Sequence, residues 1–174
     1  MGGATMLTRP FAAAALAAAV PLSVDRRVID GRGRAATVFG IAQPDGTLGL
    51  TATAGSAFRV DLVNRLTENT LVHWHGLTPP ADQDGVPVLS RPELTPGNSY
   101  AYDFLLARPG TNWMHSHVGL QEQQMLAAPL IVTDPAEAGL DEQAVVILLH
   151  DFSFRDPAEI LAGLGGKVSM PGME

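Results

Sequence analysis

Leu71-Val72-His73-Trp74-His75-Gly76 and, further along, Asn112-Trp113-Met114-His115-Ser116-His117 each place two histidines one residue apart in a short β-compatible segment bounded by turn chemistry. In a strand, residues i and i+2 point to the same face, about 6.6 Å apart, so each pair offers two imidazoles to one side. With five histidines in 174 residues, on the order of 0.1 such pair is expected by chance. Chance is therefore a poor explanation for two. Imidazole nitrogens bind transition metals at about 2 Å, and strand-mates this far apart can serve different ions of a cluster whose metals lie about 3.5–4 Å apart. Two neighbouring strands of this kind suit a multinuclear site better than a single ion. Imidazole-only ligation fits copper, zinc, iron or nickel. The alternative is four ordinary histidines on a strand face; four imidazoles converging without a metal would repel one another on protonation, which disfavours it.

Around these segments the chain reads as β. Phe58, Val60 and Leu62 alternate with Arg59 and Asp61, and Tyr100, Tyr102 and Phe104 alternate with Ala101 and Asp103, the pattern of half-buried strands. Ala128 to Thr133 is a further strand, closed by Asp134-Pro135. The link from Leu77 to Asn98 holds five prolines and two glycines; it is a loop, and loops of that length within compact domains are usually functional. Residues 136–143 lose the hydrophobic pattern and read as a linker. Ala144 to Leu149 is a continuous apolar run suited to a strand buried on both faces. Short helices are expected at Val118 to Leu126 and at Asp156 to Leu164.

Composition narrows the function classes. A length of 174 residues suits one domain of ordinary size with some chain to spare, and 18 glycines and 13 prolines with few aromatics favour β structure over a helical bundle. The net charge of -7 comes with no basic block and gives no reason to expect nucleic acid as a partner. The absence of cysteine removes disulfides, thiolate nucleophiles and every thiolate-ligated metal site, blue copper included.

The first residues read as a secretory leader, placed at 1–24. Arg9 precedes the apolar run Phe11 to Val20, which Pro21 follows, and Ala17-Ala18-Ala19 supplies small residues for cleavage. The run is too short to span a bilayer, for which about 20 apolar residues are needed; the competing reading is a frayed alanine-rich helix. Thr8-Arg9-Pro10-Phe11 has a single arginine, so the export route stays open. The expected destination is periplasmic or secreted.

Taken in order, His73-Trp74-His75-Gly76, Asp84-Gly85-Val86-Pro87, Pro96-Gly97 with the tyrosine-rich strand after it, Gly110-Thr111-Asn112-Trp113-Met114-His115-Ser116-His117 and Pro129-Leu130-Ile131-Val132-Thr133-Asp134-Pro135 resemble the first cupredoxin (plastocyanin-like) domain of the laccase-like multicopper oxidases. The resemblance covers about residues 45 to 155. It implies copper as cofactor, with His73 on the type 2 ion and His75, His115 and His117 on the type 3 pair of a trinuclear cluster. It also implies that Asp84, nine residues after His75, sits near the type 2 copper and helps deliver protons. Reduction of dioxygen to two waters consumes protons, so an acid there is chemically sensible, although Asp-Gly is also a common turn pair.

Two departures from the family pattern stand out. The His-x-x-His-x-His and His-Cys-His motifs that complete the cluster are absent from these residues, and Met114 stands where an aromatic is frequent. His150 lacks a partner and reads as structural, Trp74 and Trp113 as packing and ligand-orienting residues. Met170 and Met173 are too few to indicate a cuprous-ion loop.

These readings give an all-β, cupredoxin-like Greek-key β-sandwich over residues 30–135, a linker at 136–143, and the start of a second, incomplete cupredoxin domain at 144–174. The expected function is the copper-binding N-terminal part of an oxidase that couples one-electron substrate oxidation to reduction of dioxygen, inactive without a missing C-terminal cupredoxin domain. The alternatives are a stand-alone periplasmic copper-binding protein without turnover and, less favoured, a zinc site on the same histidines.

Overall fold

The computed structural model describes residues 18–164. Eight strands, β1 (Val20–Gly31), β2 (Arg34–Ala42), β3 (Leu50–Thr53), β4 (Ala57–Asn64), β5 (Val72–His75), β6 (Ser99–Leu105), β7 (Gly110–Ser116) and β8 (Ala127–Thr133), form two four-stranded sheets. Their orders are β2-β1-β4-β6 and β3-β8-β7-β5. The pairs β1–β4 and β3–β8 are parallel and the others antiparallel. The all-β sandwich expected from the sequence is therefore present.

Alternation decides which side chains fill the space between the sheets. Phe58, Val60 and Leu62 of β4 and Tyr102 and Phe104 of β6 point inward, as their period of two requires. Trp74 and Met114 project toward them from the second sheet, both fully buried. Trp74 meets Phe58 edge-on at 4.9 Å and Tyr102 at 4.7 Å between ring centroids, the offset geometry that aromatic quadrupoles prefer. With Trp74 committed to the core, His73 and His75 must lie on the other face of β5.

Several elements differ from expectation. The sandwich reaches back further than residue 30: β1 begins at Val20, inside the segment read as a leader, and Leu22 and Val24 are core residues paired with Leu62 and Asn64. The strands β1 and β2 form a hairpin around Arg32-Gly33, both at positive φ (57° and 79°), the combination a two-residue type I′ turn demands. The segment 118–126 is a series of turns, because Leu126 N bonds back to Gln121 O and Ser116 N to Leu126 O, which folds it against β7 instead of extending a helix. Residues 144–149 form no strand, and Val145, Ile147 and Leu149 are 73%, 75% and 87% exposed. A strand needs a partner edge, and among the described residues none is paired to this run. The helix α1 (Pro157–Leu164) is formed as expected, whereas the apolar run after Arg9, as far as residue 17, and Met170 and Met173 lie outside the described residues.

Candidate metal centre

The centre is built on two strands in fixed register. β5, at the edge of its sheet, pairs with β7 so that His73 lies opposite His115, His75 opposite Trp113 and Trp74 opposite Met114. His117 follows the last residue of β7. All four histidines come together on the outer face: ring centroids are 4.9 Å apart for His73–His117, 5.5 Å for His73–His115, 5.4 Å for His75–His115 and 4.8 Å for His115–His117. One nitrogen from each of His73, His115 and His117 falls within 4.8 Å of the others. His75 joins through Nδ1, 3.2 Å from His115 Nε2.

The outer ring atoms show which nitrogens are free to ligate. His73 Nδ1 is 2.8 Å from the Asp84 carbonyl oxygen and 3.3 Å from its carboxylate Oδ1. His115 Nδ1 is 3.1 Å from the Ser116 carbonyl oxygen and 3.4 Å from Glu122 Oε2. Carbonyl and carboxylate oxygens only accept, so each Nδ1 carries the proton and each Nε2 keeps its lone pair toward the cluster. Burial pushes the His115 and His117 rings below the ordinary histidine range, and the neighbouring His73 adds to this. Neutral imidazoles are the form that binds metal.

Asp84 is delivered by the Pro-rich loop. Its 3-10 turn, Ala81–Gln83, is pinned by Trp74 Nε1 donating to Gln83 O at 3.1 Å and by the Gln83 side chain bridging both backbone groups of Asp103. Gly85, at φ 77°, lies so close to β5 that a Cβ would overlap the Val72 carbonyl; only glycine lets the loop approach this far. Past it, Leu89 N bonds to Pro87 O around Val88, at φ 68° and fully in solvent. That is the strained, positive-φ form of the three-residue turn.

Sequence reasoning missed the supports behind β7. Gln121 is buried, its Oε1 accepting from Thr70 Oγ1 and Ser116 Oγ at 2.8 and 2.7 Å and its Nε2 donating to Asn69 O at 2.8 Å. It thereby ties the end of β7 to the approach to β5. Trp113, which the sequence already offered as a packing and ligand-orienting residue, stacks on His115 at 4.0 Å and 17°. Glu122 was hidden because its segment read as helix and turn geometry leaves no periodic signal. His150 is not among the four: it lines a cavity of about 570 Å³ together with Trp113 and Glu122, and burial pushes its ring down.

The donor set, four imidazoles without thiolate, fits a borderline transition metal such as copper. His75 and His117 are exposed while His115 is buried, so the centre is open on one side among the described residues.

Comparison with known proteins gives a consistent result. The family model described as multicopper oxidase matches residues 29–137. The copper resistance protein A homolog of Pseudomonas syringae pv. tomato is 39% identical over 111 residues, covering 63% of this chain and 19% of the relative. Laccase-2 of Botryotinia fuckeliana is 35% identical over 144 residues, covering 80% and 24%. Among solved structures, a multi-copper oxidase from Pseudomonas thermotolerans superposes with a TM-score of 0.64 at 28% identity, covering 71% of this chain and 32% of that one. The laccase from Botrytis aclada gives 0.59 at 31%, covering 65% and 22%. The sandwich is thus cupredoxin-like, and the chain spans about a fifth of the length of the curated relatives it matches.

Proposed function

Because the chain belongs to the multicopper oxidase family, we propose that His73, His75, His115 and His117 supply half the ligands of a trinuclear copper cluster in an oxidase that passes single electrons from a reducing substrate to dioxygen. Within that reading His73 serves the type 2 ion and the other three the type 3 pair. The observation that carries it is the convergence of four imidazoles on one open face, with His75 and His117 still exposed. A finished copper-storage protein would cover its ligands.

The bound copper would supply the electron-accepting and dioxygen-reducing chemistry. The chain's own residues orient and protonate. Backbone carbonyls of Asp84 and Ser116 hold the Nδ1 protons of His73 and His115 and aim each Nε2 inward, toward the cluster. The Asp84 carboxylate, one third exposed beside His73, can take a proton from solvent at Oδ1 and pass it inward, as four-proton reduction of dioxygen requires. The remaining ligands, and a Cys-ligated copper for electron entry, would come from protein outside these residues, since none of the 174 is cysteine. We further propose export, with a leader cleaved at Ala17-Ala18-Ala19, just ahead of β1. No helix among the described residues is long and apolar enough to cross a membrane.

Copper titration of the purified chain, followed by metal analysis and electron paramagnetic resonance, tests this reading. Copper that binds without intense blue absorption, is lost in His115→Ala and His117→Ala, and oxidises no phenol is the expected result. Phenol turnover by the chain alone, or copper uptake indifferent to both substitutions, would overturn it.

A further inference from the structure

We propose that Glu122 is a positioning residue for His115, its carboxylate placed against that ring as the Asp84 carboxylate is placed against His73. The proposal rests on the copper reading above. Two facing histidines have the same outer environment: Nδ1 meets a backbone carbonyl at 2.8 or 3.1 Å and a carboxylate oxygen at 3.3 or 3.4 Å. The two carboxylates come from unrelated loops, one following β5 and one following β7. Glu122 reaches its place because Gln121, next to it, is buried and held by three hydrogen bonds, and because Met125 N donates to Glu122 O at 2.8 Å.

The His115 ring has two places for its proton. On Nδ1 it faces Ser116 O and Glu122; on Nε2 it would face His75 Nδ1, 3.2 Å away. Only the first leaves a lone pair on Nε2; the second would direct Nε2–H at His75 Nδ1 and occupy the ligand atoms of two histidines at once. The negative carboxylate favours the proton on Nδ1 and raises the basicity of the opposite nitrogen. Trp113 stacked on the ring restricts its rotation, so proton placement, and not ring flipping, is what Glu122 governs. Its side chain is 38% exposed, and the contact therefore costs little desolvation.

The test compares wild type, Glu122→Gln and Glu122→Leu. Two-bond proton–nitrogen spectra of the metal-free chain read the His115 tautomer directly, and chelator competition reads copper affinity. Thermal melts confirm that each variant is folded. The Leu variant should populate the Nε2–H form and bind copper roughly 10- to 100-fold more weakly, while Gln, which keeps an acceptor, should restore most of both. A His115 tautomer unchanged in the Leu variant overturns the proposal, whatever the affinity. If wild type takes up no copper, the functional reading fails, yet the tautomer comparison still decides the role of Glu122.

Discussion

His73 and His115 stand directly opposite each other on paired antiparallel strands, their rings 5.5 Å apart and nearly perpendicular at 86°. Each turns Nδ1 outward to an oxygen acceptor and Nε2 inward. The centre is therefore set by strand register and by two loops, and substitutions in those parts should have separable effects.

Asp84→Asn keeps the backbone carbonyl that holds His73 and removes only the carboxylate. Copper content should stay near normal, and in a complete oxidase built on this chain reoxidation of the reduced cluster should slow. Gly85→Ala should do the reverse, pushing the loop off Val72 and lowering copper affinity roughly 10- to 100-fold. Metal analysis together with stopped-flow reoxidation separates the two; loss of copper in Asp84→Asn would mark the carboxylate as a structural turn element.

Trp74→Ala should destabilise the chain by about 3–5 kcal/mol, since a fully buried indole leaves a cavity and the Gln83 carbonyl loses its donor. Urea unfolding measures this. Because the same indole anchors the loop carrying Asp84, copper affinity should fall even under conditions where the variant remains folded.

Val88→Gly should stabilise the fold by about 1 kcal/mol. A β-branched residue at φ 68° is strained, and the exposed side chain contributes no packing that glycine would lose. A lower unfolding midpoint in this variant would show that the turn relaxes in solution.

Acid should destabilise the metal-free chain through its histidines. Unfolded, His115 and His117 titrate near about 6.5; folded, burial holds both lower. The unfolded chain then binds more protons, so stability is full above about pH 6.5, falls as pH drops through that value and levels off below the folded pKa. His150 acts with the same sign. Replacing His115 and His117 with Gln should flatten the profile measured by denaturant titration at a series of pH values.

Legibility in the sequence followed local periodicity. The β4 and β6 strands and the paired His-x-His segments carry a clear period of two, which is why the sheets and the four histidines could be read before the structure. β2 could not, because Val38, Phe39, Gly40 and Ile41 are buried in succession and the alternation disappears. In β1, Pro21 and Arg26-Arg27 broke up an apolar pattern that Leu22 and Val24 complete only through pairing with β4. Gln121 and Glu122 were invisible for a different reason: a turn aims them, and neither spacing nor composition encodes a turn's direction. The run at 144–149 had the composition of a buried strand, but composition does not supply the neighbouring edge.

That unpaired run has a consequence for the chain in a test tube. Ala144-Val145-Val146-Ile147-Leu148-Leu149 is uncharged, β-prone and free of glycine and proline, the signature of segments that stack into cross-β fibrils, and its side chains are largely exposed. Concentrated preparations should nucleate thioflavin-positive aggregates through these six residues while the sandwich stays folded. A single gatekeeping charge, Val146→Lys, should suppress them without touching the histidines.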